Sequence, residues 1–496
     1  MNVVLIQPSD SDKAMIHLGL AYVAAALERR GDRVKVIDAG LLDGAETKIA
    51  KLIEESNPDV VGITAQTPYY GKALSISRLV KRLNPRCPVV FGGAHPSILT
   101  EETLEEPSID IVVRGEGDVT VGELLACLED SGSLERVKGI SFKRDGRIIH
   151  NPDRPFVDEL DSLPFPAWHL FEMERYRARI NGRRVAPVLS SRGCPFKCIF
   201  CYRGPAAGKL FRGRSPEKIV EEIESLHTRY GVSDILFVDD IFTINKRRAE
   251  RVCDLLIERQ TPVSWRCQTR ADCLSPDLLR KMKAANCIDV SMGVESGNEQ
   301  ILKATGKKLT KDGIRDAFRM IREAGLSSSA SFIIGLPGDT RETVQETIRF
   351  AKELNPNFAI FYAAMPYPGT ELARMVVENG GALPRTWESY RLMSSDVASS
   401  KLLSDLRISN LTERELRYFL RTAQIEFQMG RLLGHGEARA KGVRNMLQVV
   451  RLAYARRKSW SHVLRFAARV LADSSVFFWS RLRGRQPWRG ARVRTK

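Results

Sequence analysis

Three cysteines lie within eight residues in the middle of the chain, and their spacing is the feature most able to do chemistry. Cys194, Cys198 and Cys201 are separated by three and then by two intervening residues. Thiolates are soft ligands that suit iron–sulfur clusters, zinc and copper(I). A structural zinc site takes four protein ligands, usually as two spaced pairs, and no second pair lies nearby. Three thiolates on a cubane cluster would leave one iron open to a small molecule, so the count favours such a cluster.

The residues before the first cysteine indicate how the loop is positioned. The apolar run 186–189 predicts a strand, and residues 190–193 lead out of its end. Gly193 and Pro195 permit the tight turns that wrapping a cluster requires. A structural zinc knuckle is the alternative interpretation of these residues taken alone.

An aromatic residue, Phe200, stands immediately before the last cysteine, and with it the segment resembles the hallmark of the radical S-adenosylmethionine (SAM) enzymes. The resemblance implies a 4Fe-4S cluster on the three cysteines, whose open iron binds the amino and carboxylate groups of SAM, with Phe200 beside it. It also implies reductive cleavage of SAM, hydrogen abstraction from a substrate by the 5′-deoxyadenosyl radical, and an external electron donor of the flavodoxin or ferredoxin type.

The segment in front of this motif alternates short apolar runs with amphipathic stretches. This alternation predicts an α/β fold with a doubly wound parallel sheet. Strands are predicted over 3–7, 33–38, 59–64, 88–92 and 110–114, and helices over 19–30, 48–56, 72–83 and 119–128. Such sheets bind ligands beyond the carboxyl ends of their strands, where the polar and glycine-rich turns of this segment fall.

Three stretches of this segment, 18–22, 92–96 and 114–117, resemble the cobalamin-binding domain that precedes the barrel in one large class of radical SAM enzymes. The resemblance implies that the cobalamin contacts are Gly92, Gly93, His95, Gly115, Glu116 and Gly117. The Asp-x-His-x-x-Gly segment whose histidine ligates cobalt in many cobalamin proteins is absent from the sequence, which leaves the lower cobalt ligand unassigned. His17 lies near the expected loop, but a lone histidine more often packs or forms hydrogen bonds.

From residue 186 the strand–helix rhythm resumes and predicts a partial (β/α)6 barrel. Its strands are expected over 186–190, 234–239, 263–268, 288–294, 328–335 and 358–365. In the third of them Ser264, Arg266 and Gln268 share one face, and Trp265 and Cys267 share the other. A polar inner face backed by an apolar outer face indicates a lumen that holds substrate, with chemistry at the carboxyl ends of the strands.

The ends of these strands carry the residues that the resemblance assigns to SAM. The adjacent carboxylates Asp239 and Asp240 could orient SAM or substrate, or cap the next helix, and both interpretations stay open. The other expected SAM contacts lie at the ends of later strands and are Arg270, Gly293, Glu295, Ser296, Gly335 and Pro337.

These patterns divide the chain into four regions. They are a cobalamin-binding-like Rossmann domain (1–133), a connector (134–185), a radical SAM partial barrel (186–395) and a helical, basic C-terminal region (396–496). Within the connector, Asp145-Gly146 between two apolar runs predicts a hairpin.

The net charge of +17 belongs to the end of the chain, because residues 431–496 hold 17 Lys/Arg and 2 Asp/Glu. A helix is expected over 412–433. Residues 449–479 mix arginines with aromatic side chains, which favours an interfacial helix on an anionic membrane, and residues 481–496 read as a disordered polybasic end. Nucleic-acid binding, which we do not expect, and a solvated helical cap over the barrel are the alternatives.

Nine cysteines in a chain of this length fit a reducing compartment better than a disulfide framework. The start lacks the pattern of a signal peptide, and no apolar run approaches the roughly 20 residues that span a bilayer. We therefore expect a cytoplasmic protein, peripheral at the inner face of the membrane if the tail binds lipid. The six cysteines outside the motif are expected to be small buried residues.

Together these features predict a radical SAM enzyme that uses a 4Fe-4S cluster and cobalamin to methylate an unactivated carbon of a small or lipid-like substrate. The same architecture also serves anaerobic oxidative cyclisation and ring rearrangement, which are the main alternatives. A non-catalytic protein that binds zinc and nucleic acid is the third.

Overall fold

The computed structural model of the chain describes residues 1–9, 15–42, 45–176, 179–180, 183–201, 208–390 and 406–432. Within these ranges the strands are β1 (Asn2–Gln7), β2 (Arg33–Asp38), β3 (Val60–Thr64), β4 (Val89–Gly92), β5 (Ile111–Val113), β6 (Ile140–Arg144), β7 (Arg147–His150), β8 (Arg179–Ile180), β9 (Arg183–Val188), β10 (Ser191–Arg192), β11 (Arg212–Gly213), β12 (Asp234–Phe237), β13 (Ser264–Thr269), β14 (Cys287–Glu295), β15 (Ser327–Ile334) and β16 (Phe358–Ala363).

The α-helices of the same ranges are α1 (Leu18–Arg30), α2 (Glu46–Ser56), α3 (Tyr70–Leu83), α4 (Ala94–Ile98), α5 (Thr100–Glu105), α6 (Gly117–Glu129), α7 (Pro216–Tyr230), α8 (Lys246–Glu258), α9 (Pro276–Ala284), α10 (Glu299–Ala304), α11 (Lys311–Glu323), α12 (Arg341–Leu354), α13 (Glu371–Glu378) and α14 (Glu413–Leu432). The helix predicted over 412–433 is thus confirmed as α14.

The N-terminal sheet has the strand order β2-β1-β3-β4-β5-β6-β7, and its first five strands are parallel. Strand β1 shows why it is doubly wound. Val4 and Ile6 pack into one apolar cluster with α2 and α3, whereas Val3 and Leu5 pack into another with α1 and α6. Because successive side chains of a strand point to opposite faces, a continuous apolar run requires helices on both faces.

The hairpin predicted at Asp145-Gly146 is confirmed as β6 and β7. Strand β6 pairs antiparallel with β5, so the N-terminal sheet extends beyond residue 133 into the stretch that the sequence patterns assign to the connector. Both turn residues have positive φ, 51° at Asp145 and 73° at Gly146, as a tight two-residue turn requires.

The second large sheet has the order β16-β15-β14-β13-β12-β9-β8, in which β9 and β12 to β16 are parallel. This arrangement confirms the partial barrel with six parallel strands. The two faces predicted for β13 are also observed, because Trp265 and Cys267 are buried in the outer core while Arg266 and Gln268 are not.

Short polar residues start the helices of this half of the molecule. A side chain at each N-cap from α7 to α13 accepts a hydrogen bond from a backbone N–H of the first turn, and the capping residues are Ser215, Asn245, Ser275, Asn298, Thr310, Thr340 and Thr370. Such caps satisfy backbone donors that have no partner within the helix. The first residue of each of these helices is therefore fixed by the residue that caps it.

None of the helices within the described ranges is both long enough and apolar enough to cross a membrane. The segments predicted as an interfacial helix (449–479) and a polybasic end (481–496) lie outside the described residues. Contact with a membrane stays a prediction.

Gly297, just beyond β14, gives a test of the packing between that strand and α12. A Cβ atom built on Gly297 would lie 2.6 Å from Phe350 Cβ, 2.7 Å from Thr347 Cα and 2.8 Å from Glu346 O. Because two of these contacts are with backbone atoms that cannot move aside, we expect Gly297→Ala to lower stability by about 1–3 kcal/mol. Thermal unfolding followed by circular dichroism measures the loss.

Gly122 of α6 provides the matched control, because a Cβ atom there meets nothing closer than Arg30 Cδ at 3.8 Å. Gly122→Ala should unfold at or slightly above the wild-type temperature, since alanine favours a helix. Equal melting temperatures for the two variants would contradict the packing described for Gly297.

Candidate active site between the two sheets

A cleft lies between the two sheets and contains about 1250 Å³ of empty space, including its mouth. Residues at the carboxyl ends of β3, β4 and β5 line one wall, and residues that follow β9 and β12 line the other. Parallel sheets bind ligands at this end of their strands. The two ligand-binding edges therefore face one space. Gly193, which directly precedes Cys194, lines it from the side of the second sheet.

The cysteine loop (residues 193–211) is closed at its base by β10 and β11, which pair antiparallel. Its middle is held through the backbone of Ile199, whose N–H donates to Thr305 O at 3.0 Å and whose carbonyl accepts from Leu372 N at 2.9 Å. Gly306, with φ of 71°, passes so close that a Cβ atom there would lie 2.7 Å from Lys197 O. The middle of the loop is thus clamped between the end of α10 and the start of α13.

The three thiols are neighbours that fit a cluster better than a single ion. Cys194 and Cys198 are half-buried, Cys201 is exposed, and the charge of Cys201 influences both of the others. Among the described side chains, no group of three or more His, Cys, Asp or Glu is arranged to hold one metal ion. In a cubane each thiolate binds a different iron, so the sulfurs need not converge.

Burial raises the pKa of Cys198 to about 11 and also raises that of Cys194, so both are protonated thiols near neutral pH. Lys307 and Arg270 oppose this rise at Cys198. Because thiolates are the ligands, loading of a cluster releases protons, and cations beside the sulfurs favour that step.

Arg270, predicted as a SAM contact, lies directly against the cysteine loop. Its guanidinium carbon is 3.5 Å from the centre of the Phe196 ring, it donates to Lys307 O at 2.8 Å, and it pairs with Asp272 at 3.0 Å. Its Nη1 atom is buried and has no hydrogen-bond partner among the residues that the structure describes. A buried unpaired donor is costly, so this atom marks a place for an acceptor.

Glu295, at the end of β14, forms a buried ion pair with a residue that the sequence analysis missed. Its Oε1 accepts from Lys307 Nζ at 2.5 Å, and the same ammonium donates to Gly293 O at 2.6 Å. The pairing of β14 with β15 shifts between Gly293 and Glu295, where Glu295 has φ of 69°. A non-glycine residue in this conformation is strained, and such strain clusters at functional sites.

The two adjacent carboxylates after β12 have different roles. Asp239 is buried and accepts from Ser190 N at 3.2 Å, from Ser190 Oγ at 2.7 Å and from Ser191 Oγ. Burial raises its pKa, and Arg248 opposes the rise. Asp239 thus anchors the segment that enters the cysteine loop, whereas Asp240 lines the cleft near Cys194. Neither caps the next helix, because Asn245 caps α8.

The remaining predicted SAM contacts are positioned mainly by α12 and its N-terminal loop. The hydroxyl of Ser296 lies 3.1 Å from that of Thr347 and accepts from Asn298 N at 3.2 Å. Asp339 Oδ2 accepts from Gly335 N at 2.9 Å and from Leu336 N at 3.0 Å, which fixes the turn that contains Pro337. Gly335 has φ of 89°, a conformation that favours glycine. Phe200 is half-buried against the main core. The contact of SAM with Ser296, Gly335, Pro337 and Phe200 stays a prediction.

Five of the six predicted cobalamin contacts line the cleft, namely Gly92, Gly93, Gly115, Glu116 and Gly117. A Cβ atom built on Gly92 would meet only Val113 O, at 3.9 Å. A side chain there would therefore fill the cleft without striking the protein. Gly92, Gly93, Gly115 and Gly117, which we call the glycine wall, therefore leave this side of the cleft largely without side chains.

His95, the sixth predicted contact, is not among the residues that line the cleft. Its ring is buried 3.9 Å from the centre of the Tyr70 ring and 4.7 Å from that of Trp387, and its Nδ1 lies 3.3 Å from Thr67 Oγ1. Burial lowers its pKa to about 3, so the ring is neutral. The histidine of this motif packs under the glycine turn instead of facing the cleft.

His17 lines the cleft but is engaged in capping α1. Its Nδ1 accepts from Leu20 N at 3.1 Å, and burial lowers its pKa. A neutral imidazole whose Nδ1 accepts a hydrogen bond carries its proton on Nε2, which then cannot donate a lone pair to cobalt. The packing interpretation of this histidine is favoured.

Arg192, Arg212 and Asp118 were also missed by the sequence analysis, although Arg192 and Asp118 adjoin predicted motifs. Arg192 precedes Gly193 of the cysteine loop, and Asp118 follows Gly117. Adjacency was the only available signal, because charged residues beside a turn usually face solvent. Lys307 had no such signal, since it lies twelve residues after Glu295.

Comparison with protein families matches two parts of the chain. A model of the radical SAM superfamily matches residues 188–351, and a model of the B12 binding domain matches residues 11–125. The chain belongs to the radical SAM superfamily and carries a B12-binding domain in front of its barrel. It is therefore an enzyme whose cofactors are a 4Fe-4S cluster, SAM and cobalamin, as the sequence analysis predicted.

Two relatives cover most of the chain. An uncharacterized methyltransferase from Pyrococcus horikoshii is 36% identical over 413 residues, which are 83% of this chain and 87% of the relative. An anaerobic magnesium-protoporphyrin IX monomethyl ester cyclase from Rubrivivax gelatinosus is 30% identical over 420 residues, which are 82% of this chain and 74% of the relative.

Solved structures share the fold. The radical SAM methyltransferase TsrM from Kitasatospora setae, with cobalamin and a [4Fe-4S] cluster bound, has a TM-score of 0.65 and 20% identity over 77% of this chain and 76% of its own. The cobalamin-dependent radical SAM enzyme OxsB, with aqua-cobalamin bound, has a TM-score of 0.67 and 17% identity over 97% of this chain and 80% of its own.

A substitution at Gly92 tests whether the glycine wall binds cobalamin. Because a side chain at this position projects into the cleft, we expect Gly92→Leu to weaken binding of hydroxocobalamin by at least about tenfold, which corresponds to roughly 1.4 kcal/mol. Titration followed by the corrinoid absorption bands measures the affinity. Gly122→Leu, which lies outside the cleft on α6, is the control and should bind as the wild type does; equal affinity of all three proteins would contradict the assignment.

Asp339 predicts a pH dependence of stability. Burial raises its pKa from 3.8 to about 6. A carboxyl with a raised folded-state pKa contributes stability that is present below its unfolded pKa and lost as the pH rises through its folded pKa. Between pH 7 and pH 5 the wild type should therefore gain about 1 kcal/mol relative to Asp339→Asn, which has no titration here. Thermal unfolding at the two pH values measures the difference, and parallel changes in both proteins would contradict burial of an ionisable Asp339.

Proposed function

We propose that this protein is a cobalamin-dependent radical SAM methyltransferase that methylates an unactivated carbon of a small substrate. The observation that carries the proposal is the shared cleft. Gly193, which directly precedes Cys194, lines the same space as the glycine wall, so groups bound to the cysteine loop and to the wall can act on one substrate. The name of the Pyrococcus relative supports methyl transfer.

When bound, the cluster with SAM supplies a radical that removes hydrogen from carbon, and cobalamin supplies a carrier for a methyl group. The protein's own residues hold and orient these groups. Cys194, Cys198 and Cys201 would ligate the cluster, and Arg270 offers its unpaired Nη1 to an acceptor beside the loop. Its place near Cys194 and Cys198 suits a carboxylate of SAM, which Nη1 would bind through one charge-assisted hydrogen bond while Nε and Nη2 stay on Asp272.

The lumen of the barrel supports a substrate that carries hydrogen-bonding groups. Arg266 pairs with Asp234 at 2.8 Å, and Ser329 Oγ donates to Asp289 at 2.9 Å. Side-chain alternation assigns Arg266 and Asp289 to the inner face of the barrel, and a polar inner face favours a substrate with hydrogen-bonding groups over a wholly apolar lipid. We infer a small molecule with polar groups. An external reductant of the flavodoxin or ferredoxin type would supply electrons.

Oxidative cyclisation is the second candidate, because the cyclase of Rubrivivax gelatinosus is 30% identical to the chain. The fate of the methyl group of SAM separates the two. Methyl transfer predicts that label from [methyl-¹³C]SAM enters the product, as mass spectrometry would show. If product forms while every label remains in methionine or unreacted SAM, cyclisation or rearrangement is favoured instead.

Cys198 tests the cluster assignment. Anaerobically reconstituted wild-type protein should be brown and should form 5′-deoxyadenosine from SAM in the presence of a reductant. We expect Cys198→Ala to lose this activity by at least about 10³-fold, because two thiolates do not hold the cluster with its open iron. Iron and sulfide analysis together with product chromatography measure both effects.

Cys127→Ala is the matched control, since Cys127 is a partly buried cysteine of α6 far along the chain from the motif. It should retain the cluster and SAM cleavage. Zinc without iron or sulfide in the wild type, or unchanged SAM cleavage by Cys198→Ala, would overturn the proposal.

A further inference from the structure

Four charged side chains join the base of the cysteine loop to the glycine wall. Arg192 and Arg212 lie at paired positions of β10 and β11. Glu116 is the N-cap of α6 and Asp118 is the second residue of that helix, which packs on the N-terminal sheet. We call these four residues the interdomain clamp. Each of their side chains is at most 11% exposed.

The geometry of the clamp is bidentate on both sides. Arg192 donates to Asp118 through Nη1 at 2.7 Å and through Nη2 at 3.0 Å. Arg212 donates to Glu116 through Nη1 at 3.0 Å and through Nη2 at 2.9 Å. Glu116 Oε1 is also 3.2 Å from Arg192 Nη1, which links the two pairs. Paired donors of a planar guanidinium fix orientation as well as distance.

Charge balance requires all four members. Two arginines opposite each other in an antiparallel ladder repel, and the two carboxylates between them neutralise that repulsion. Aromatic faces cover the guanidiniums from outside, with Tyr22 at 5.1 Å from Arg192 and Phe156 at 4.9 Å from Arg212. The carboxylates also lie at the start of α6, where a helix favours negative charge. The cluster is thus neutral, enclosed and specific to one relative position of the two sheets.

The position of the clamp in the cleft gives it a functional consequence. Arg192 directly precedes Gly193 and Cys194, and Glu116 lies between two of the glycines assigned to cobalamin. Glu116, Asp118 and Arg192 all line the cleft. A displacement of one pair would therefore move the cysteine loop relative to the glycine wall, even if each kept its own structure.

We propose that the interdomain clamp sets the distance between the cluster and cobalamin, and that its four members are positioning residues for methyl transfer. The inference rests on the proposed function for its consequence in turnover, but its structural part needs only the two cofactors bound. Weakening the clamp should leave each cofactor bound in its own half of the molecule and should loosen their mutual placement.

The test uses full-length Asp118→Asn protein loaded with cluster and cobalamin. Asparagine retains the shape but cannot neutralise Arg192 or accept at both atoms. With the cluster reduced and cobalt in the Co(II) state, the spin–spin splitting and broadening of the two continuous-wave electron paramagnetic resonance signals measure the distribution of distances between the two paramagnets. We expect a broader or shifted distribution than in the wild type, in samples whose absorption spectra show that both cofactors are bound.

Turnover supplies a second readout. The ratio of methylated product to 5′-deoxyadenosine should fall at least about tenfold in Asp118→Asn while SAM cleavage persists, because a misplacement near 1 Å can cost a reaction about 100-fold. Glu123→Gln is the matched control, since Glu123 lies on the same helix and pairs with Arg154 at the surface instead of with the clamp. It should match the wild type in both measurements.

Arg192→Lys covers the case in which Asp118→Asn fails to fold. Lysine keeps the charge but loses the fork that binds Asp118 through two donors, so we expect an intermediate broadening. An unchanged distance distribution in a folded Asp118→Asn or Arg192→Lys protein would overturn the clamp. A changed distribution in a protein whose wild type transfers no methyl group would retain the clamp and overturn the proposed function instead.

Discussion

The loop that presents three thiols to one cluster is held by backbone hydrogen bonds to two segments that are distant in sequence, and this constraint organises the second half of the molecule. The backbone of Ile199 meets it by bonding to Thr305 on one side and Leu372 on the other. These partners lie at the end of α10 and the start of α13, which are far apart in sequence but belong to one barrel. The parallel strands bring these segments together at the barrel's mouth, so the fold is what makes the loop possible.

Electrostatics supplement this backbone frame. A cluster on three thiolates is anionic, and Arg270 and Lys307 place cations beside Cys198. Neither cation is free to approach the sulfurs further, because Lys307 is paired with Glu295 and Arg270 with Asp272. The positive charges are therefore fixed in place, which stabilises thiolates without large reorganisation when a cluster binds. The strained backbone at Glu295 is consistent with this requirement, since it directs the carboxylate toward Lys307.

Most of the fold followed from the sequence because strand and helix patterns are local. The strand predicted over 33–38 is observed with the same limits, and the inner and outer faces of β13 follow from simple alternation. That the three cysteines ligate a cluster and that the glycines contact cobalamin stay predictions, but the positions of Gly92, Gly93, Gly115 and Gly117 along the cleft were predictable from their motifs. Roles that depend on partners from another element were not: Asp239 faces serines that lie 48 and 49 positions earlier in the sequence.

His95 shows the same limit of local patterns, because its motif indicates a ligand contact for a ring that the structure buries away from the cleft. Its motif suggested a cobalamin contact, but a local pattern cannot tell which side of a turn a ring occupies. The structure buries the ring between Tyr70 and Trp387, and Trp387 comes from the segment that follows the barrel. Only the tertiary structure could provide that partner, since the two residues are nearly three hundred positions apart.

The contact between His95 and Trp387 also explains why the two halves form one unit. Residues of α1, including Leu18 and Tyr22, belong to the same buried apolar cluster as the barrel. The aromatic group around Trp387 joins the sheets at one place, and the interdomain clamp joins them at another with charges. Apolar packing resists separation of the halves but tolerates sliding, whereas paired guanidinium–carboxylate contacts fix direction. The two kinds of contact together hold the cleft at one width and in one register, which is what chemistry shared between two cofactors demands.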